Sequence, residues 1–278
     1  MRFWPKSAPD WSRDRTLPVC TERLQAGSGR TAWAGVLVRL RLPAVAAAPA
    51  GLGRRLLFFS DLHWEELDAG PAAGLVEAMN SLRPDWLVFG GDLARHPRFV
   101  APALEILRRL EAGRGRLAVP GNWEHRCHES TDWWRQAFAS VGFNLLVNEF
   151  RLPSVAGDPG FYGLDDVRTG CPDSDCAEPL RGLPLVLGLA HSPAAVAPAA
   201  GRFLGHLVLA GHTHGGQIRI PGFGALVTST PYWKQFEHGL YRRRDGVRML
   251  VSAGLGLAGP GLLHRRVFCP PELVLIEW

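Results

Sequence analysis

Lysine is almost missing from this 278-residue chain, so arginine carries nearly all of its positive charge; Lys6 and Lys234 are the exceptions. With Ala, Gly and Pro abundant, that bias is a mark of GC-rich coding rather than of function. The net charge of +5 and pI near 9.3 only mildly favour acidic partners such as phosphate groups or an anionic leaflet. Cysteine is scarce and unpatterned: Cys20, Cys127, Cys171, Cys176 and Cys269 are an odd set, which argues against a disulfide framework. Cys171 and Cys176 sit close together in a Pro/Asp/Gly-rich loop and leave a local bridge open, two reduced thiols being the plainer reading. No apolar run follows the basic residues of segment 1–35, so we read no signal peptide there. The uncharged stretch 182–201 is long enough for a membrane span, but Pro184, His191, Pro193 and Pro198 interrupt it. Any membrane contact is expected to be peripheral.

What is present suits one large α/β domain, since 46% of residues are hydrophobic and 21% charged. Residues 1–33 show neither helical nor strand periodicity and read as a poorly ordered or loosely docked arm, with the domain over 34–278. Residues 35–42 alternate as a strand. Short continuous apolar runs follow at 56–59, 86–89, 117–119, 185–189 and 207–209, a pattern that predicts strands buried on both faces. Helical patterns at 71–82, 99–111 and 131–140 lie between the earlier runs and complete a βαβ signature. Residues 217–220, 247–252 and 273–276 read as further strands, as in a second sheet.

Each buried run stops at a residue that can bind a metal. In order these are Asp61 and His63, Asp92, Asn122, His191, then His212 and His214. Open α/β sheets build their sites at the carboxyl ends of strands. Taken singly, an Asp there caps a helix, a buried His is a hydrogen-bonded core residue, and Asn after Pro-Gly is a turn residue. All seven ending apolar runs together is much harder to explain that way. Mixed carboxylate, imidazole and amide ligands suit Mn²⁺, Fe or Zn²⁺. Two such ions about 3.5–4 Å apart clamp the attacking and leaving oxygens of an in-line displacement and generate hydroxide at neutral pH.

Ser60-Asp61-Leu62-His63, Gly90-Gly91-Asp92, Pro120-Gly121-Asn122, His191 and the run from Gly211 to Gln217 together resemble the calcineurin-like metallophosphoesterases. Gly239-Leu240-Tyr241 and Pro270-Pro271-Glu272 resemble the YkuE/YaeI-type branch, which includes phosphodiesterases and UDP-diacylglucosamine pyrophosphohydrolases. The resemblance implies a four-layer α-β-β-α sandwich of two mixed sheets flanked by helices. It implies Asp61, His63, Asp92 and His214 at one metal, and Asn122, His191 and His212 at a second bridged by Asp92. The implied reaction is attack of metal-bound hydroxide on a phosphodiester or pyrophosphate of a small-molecule, lipid or UDP-lipid substrate. Such an enzyme is expected in the cytoplasm, either free or at the inner face of the membrane.

One position departs from the pattern. The family usually has His directly after the Asn, and here it is Trp123, whose indole neither accepts nor delivers a proton at neutral pH. If a helix begins at Asn122, His125 falls on the same face and is the candidate replacement. Trp123, Trp233 and Arg242 are the candidate substrate contacts, the last two from a loop with Tyr232 and Phe236 followed by Arg242-Arg243-Arg244. An edge hairpin with a solvated basic stretch fits that loop equally well. Two other readings stand beside this one: a nuclease of the same superfamily, and a metal-binding scaffold weakened by Trp123. Nucleic acid is disfavoured because the Arg and aromatic residues form no long stripe.

Overall fold

The computed structural model describes residues 8–43, 54–65, 69–127, 129–199, 201–259 and 264–278. The first part of the chain supplies strands β1 (Trp11–Arg13), β2 (Val19–Ala26), β3 (Trp33–Arg41), β4 (Arg55–Phe59), β5 (Trp86–Phe89), β6 (Gly115–Ala118) and β7 (Asn144–Leu145). The second part adds β8 (Glu149–Arg151), β9 (Gly160–Gly163), β10 (Val186–Leu189) and β11 (Leu207–Ala210). A small hairpin, β12 (Arg219–Ile220) and β13 (Gly224–Ala225), precedes β14 (Gly239–Arg243), β15 (Arg248–Val251) and β16 (Glu272–Glu277). One seven-stranded sheet runs β2-β3-β16-β4-β5-β6-β7 and the other β1-β14-β15-β11-β10-β9-β8.

Why the strands read as continuous apolar runs is visible in β4. Leu56 and Phe58 point into a core between the sheets, which Leu187, Leu189, Leu207, Leu209 and Leu250 enter from the other side. Leu57 and Phe59 point the opposite way, onto the helices α1 (Ala69–Ser81), α2 (Val100–Arg108) and α4 (Thr131–Ser140). In the second sheet Val186 and Val208 likewise turn outward to pack with Ala194 and Val196 of α5 (Pro193–Val196). Both faces of each sheet are therefore covered, giving four layers around a central core. Phe58→Ala would open a void in that core costing roughly 3–5 kcal/mol.

The helices follow from their sequences. In α2, Val100, Ala103, Ile106 and Leu107 form one buried stripe. Ser130 caps α4 by accepting from the Trp133 N–H at 3.1 Å, Trp134 and Phe138 are its buried residues, and Gly142 at φ 82° follows its end. The structure corrects two expectations. Residues 8–33 are not a loose arm, because β1 pairs with β14 and β2 with β3 along eight residues. β2 lies exposed at a sheet edge, so nothing forces an apolar alternation on it. The C-terminal strands do not all join one sheet either: β14 and β15 enter the second, but β16 inserts between β3 and β4 of the first. The stretch 182–201 forms β10 and the short α5, and no helix of the described residues is long and apolar enough to cross a membrane.

Candidate metal centre

β4, β5 and β6 are parallel neighbours, as are β10 and β11, so their carboxyl ends share edges of the two sheets. There the side chains gather into two buried groups, Asp61 with His63 and His214, and Asp92 with His191 and His212. In the first, His63 Nε2 and His214 Nε2 lie 3.0 Å apart, and 3.9 and 3.5 Å from Asp61 Oδ1. In the second, His191 Nε2 lies 2.9 Å from His212 Nδ1 and 3.3 Å from Asp92 Oδ2. The same Asp92 oxygen is 3.4 Å from His63 Nε2, so one carboxylate faces both groups.

The backbone is bent to achieve this. Asp61, His63, Asp92, His212 and His214 all have left-handed φ, between 44° and 69°. Few non-glycine residues adopt that region, and it is held here by bonds from the surroundings. Asp61 accepts from the His212 N–H at 3.0 Å and the Ser60 hydroxyl at 2.6 Å. The Trp123 N–H donates to Asp92 Oδ1 at 2.9 Å, leaving Oδ2 for the imidazoles. His191 Nδ1–H donates to the Gly90 carbonyl at 2.8 Å, which orients the ring with Nε2 facing inward. Gly211 has no substitute, since a Cβ there would sit 2.5 Å from Asp61 Oδ2.

Glu124 is a member of the site that the sequence did not reveal. Its Oε2 accepts from the Asp92 and Gly121 N–H groups at 3.0 and 2.6 Å, and Oε1 from Leu93 N–H at 2.7 Å. It thereby ties the Asp92 loop to the Asn122 turn. Burial and the neighbouring Asp92 charge push its carboxyl above the usual range, against those N–H bonds. A Glu three residues after Gly121 is the sequence signal of a capping box, but the bonds to Asp92 and Leu93 cross some thirty positions.

The electrostatics suit a cation. Burial alone would raise Asp61 and Asp92, yet His214 and His191 around the first, and His191 and His63 around the second, hold both below the usual carboxylate range. Burial pushes His214 down to about 3 and His212 to about 4, and lowers His63. Burial opposes a proton on His191 too, but Asp92 beside it overcomes that and raises the group well above 6.5. Two buried carboxylates thus call for positive charge between them. Asn122 Oδ1 is also buried among the described residues without a donor, as an acceptor meant for a cation would be. With metal–ligand bonds of roughly 2.0–2.2 Å, neighbouring ligand atoms stand roughly 3–3.5 Å apart, close to most of the separations seen here.

The remaining sequence candidates fare differently. Asn122 does begin a helix, α3 (Asn122–Arg126), but His125 is drawn to Asp165, Nε2 to Oδ1 2.8 Å, and no described contact joins it to either group. Trp123 does border the site, its ring edge-on to His63 with centroids 6.2 Å apart. Trp233 is exposed, but Tyr232 and Phe236 are core residues, so the aromatic lip is one side chain of the three. The arginine run is split by strand alternation: Arg242 and Arg244 of the β14 region face solvent, and Arg243 is buried against Asp245 and the Ala199 and Arg202 carbonyls. Cys127 is buried with its thiol pushed up to about 11 by burial, the opposite of a reactive cysteine, and no disulfide joins Cys171 to Cys176.

The chain belongs to the calcineurin-like phosphoesterase family, whose model matches residues 54–216, the span that carries all seven ligand candidates. It is accordingly a metal-dependent phosphoesterase with two sites for divalent ions. Among relatives, it is 28% identical over 230 residues to the uncharacterized metallophosphoesterase YkuE of Bacillus subtilis, covering 80% of this chain and 78% of that one. It is 30% identical over 234 residues to an uncharacterized metallophosphoesterase of Campylobacter jejuni, covering 80% of this chain and 58% of the longer relative. A phosphopantetheinyl hydrolase structure from Mycobacterium tuberculosis aligns with 79% of this chain and 97% of its own, at 17% identity and a TM-score of 0.44.

Proposed function

We propose that the chain hydrolyses a phosphodiester or pyrophosphate bond at a dinuclear centre, with Asp61, His63 and His214 holding one ion, Asn122, His191 and His212 the other, and Asp92 shared. The observation that carries this reading is the single Asp92 oxygen lying 3.4 Å from His63 and 3.3 Å from His191. Divalent ions there would supply Lewis acidity toward phosphoryl oxygen and acidify water. Mn²⁺, Fe and Zn²⁺ all suit the donor set. The chain's own residues do the rest. Glu124 and Ser60 fix the carboxylates, the Gly90 carbonyl orients His191, and the burial of all six Asp and His ligands keeps bulk water from competing.

A cleft of about 800 Å³ opens from His63 and Trp123 and passes Trp33, Leu75, Phe99 and Leu255. Its apolar walls support a lipid or UDP-lipid body on the substrate. Exposed Ile220, Phe223, Leu226, Val227 and Trp233 cluster around the β12–β13 hairpin, and support peripheral contact with a membrane at the inner leaflet. Purified protein should contain close to two transition ions, lose hydrolysis of bis(p-nitrophenyl) phosphate on chelation and regain it with Mn²⁺. Full activity in excess chelator would overturn the reading. Sedimentation with anionic vesicles at low salt, with release at high salt, tests the membrane contact.

A further inference from the structure

The turn that carries Asp61 is supported from the opposite sheet. Residues 253–256 follow β15 and run against that turn: the Leu255 N–H donates to the Ser60 carbonyl at 3.0 Å and the Gly256 N–H to the Asp61 carbonyl at 2.6 Å. The approach is close. A Cβ at Gly254 would stand 2.8 Å from Asp61 Cβ, and one at Gly256 would stand 2.3 Å from the Leu62 carbonyl oxygen. Yet residues 253–256 are neither helix nor strand, so their carbonyls must find donors elsewhere.

Most of that demand is met by one side chain. Arg266 Nη2 donates to the Ala253, Gly254 and Gly256 carbonyls at 2.8, 3.0 and 2.7 Å, and Nε donates to Gly256 again at 3.2 Å. Its Nη1 turns to the Cys269 and Pro270 carbonyls at 3.3 and 3.4 Å. The Cys269 thiol in turn donates to the His214 carbonyl at 3.3 Å. One guanidinium therefore stands behind two members of the same ligand group, Asp61 through residues 254–256 and His214 through Cys269. Burial above all, with the Arg266 charge adding to it against the pull of Asp61, holds His214 at about 3 and so neutral for ligation. Arg266 also lines the cleft beside Leu255 and Gly256, but every nitrogen of its fork is engaged, which leaves it no donor for a substrate.

We propose that Arg266 is a positioning residue for the first ion, its fork locking residues 253–256 and Cys269 in the arrangement that presents Asp61 and His214 together. This rests on the dinuclear reading above and adds to it a residue outside the ligand set. Only a guanidinium suits the place: its planar donors meet several carbonyls at once, where the ammonium of lysine is a single point. The first ion depends on it more than the second, because Asp92 and His191 have their own supports in Glu124, the Trp123 N–H and the Gly90 carbonyl.

Two measurements decide the proposal, metal content after Mn²⁺ loading and desalting, and hydrogen exchange of the chelated protein. Arg266→Met keeps an unbranched stem and removes the fork. Its affinity for one ion should fall about 10–100-fold, leaving about one ion bound where the parent retains about two. In the chelated protein the amides of 254–256 should lose protection while those of β11 keep it. Arg266→Lys, which retains the charge without the fork, should behave the same way. Arg54→Lys is the control: Arg54 is a buried arginine whose guanidinium meets Asp158 and the Ala156 carbonyl, so the variant should melt lower and still hold both ions. Two ions retained in either Arg266 variant, both ions lost together, unchanged exchange at 254–256, or an ion lost from Arg54→Lys would each remove Arg266 from this role. A parent that binds no ion would instead overturn the dinuclear reading, and the exchange measurement, made without metal, would still decide whether Arg266 holds the loop.

Discussion

The first sheet brings both carboxylates and the amide to the shared edge, on β4, β5 and β6, together with His63. From the second come only imidazoles, His191 after β10 and His212 and His214 after β11. Neither half completes a site. The Asp61 group borrows His214 across the interface, and the Asp92 group borrows His191 and His212. The difference teaches that the centre doubles as a clasp between sheets, with negative charge on one side and neutralising rings on the other. Ion binding should therefore stabilise the docking of the two sheets by mass action.

The largest break in that comparison should come from Asp92→Asn. Loss of a residue supporting one ligand costs about 10–100-fold, so loss of the shared ligand should exceed about 10² in kcat/KM and lower metal content at both positions. Full occupancy of one site would show that the two groups are independent. Glu124→Gln comes next. Gln cannot accept at both ends of its side chain, so at least one of the Asp92, Gly121 and Leu93 N–H bonds is lost. Metal affinity measured by titration should fall about 10–100-fold with the fold intact.

A smaller effect should appear in the pH dependence of the metal-free protein. His214 at about 3 and His212 at about 4 stay neutral in the folded state, while the unfolded chain takes up protons near 6.5. Stability from these rings is complete above pH 6.5 and declines as the pH falls toward 4. His191, raised above 6.5, acts in the opposite sense and loses its contribution as the pH rises through its own value. The Tm of chelated protein should rise from pH 4 to a maximum near about 6.5 and fall above it, and a flat profile from pH 4 to 7 would exclude the assignment. The smallest change is expected for His125→Ala. Its partner is Asp165, in a half-buried pair worth about 0.2–1 kcal/mol at most, so kcat should hold within about threefold. A tenfold fall with unchanged metal content would return His125 to the chemistry.

Much of this architecture was legible because it obeys simple periodicities. The runs at 56–59, 86–89 and 207–209 became β4, β5 and β11 nearly residue for residue, and helix 131–140 matches α4 at both ends. The strands need apolar side chains on both faces and the helix a single buried stripe, so nothing competes with either pattern. The illegible parts lack that demand. β1 is only three residues long, β2 is exposed, and β16 crosses to the other sheet through pairings invisible in a local window. The gathered ligands were readable because each ends a buried run. Glu124 was not, because its partners at Asp92 and Leu93 are close only once β5 and β6 are paired. The Arg242–Arg244 run is not one continuous basic surface, since a strand turns alternate residues inward, and Arg243 finds Asp245 and two carbonyls there.

The left-handed backbone at Asp61, His63, Asp92, His212 and His214 bears on what selection acts upon. Each such residue costs roughly 1–3 kcal/mol, a large share of a marginal folding free energy. Glycine or asparagine would tolerate the same dihedrals at lower cost. A chain drifting under stability alone would collect those residues at these five positions and become more robust as it lost its chemistry. Here all five are carboxylate or imidazole, identities that the proposed ligation accounts for and folding stability does not. His214→Asn and His212→Asn proteins should then be inactive and yet melt no lower than the metal-free parent, a separation of function from robustness that ordinary core residues never show.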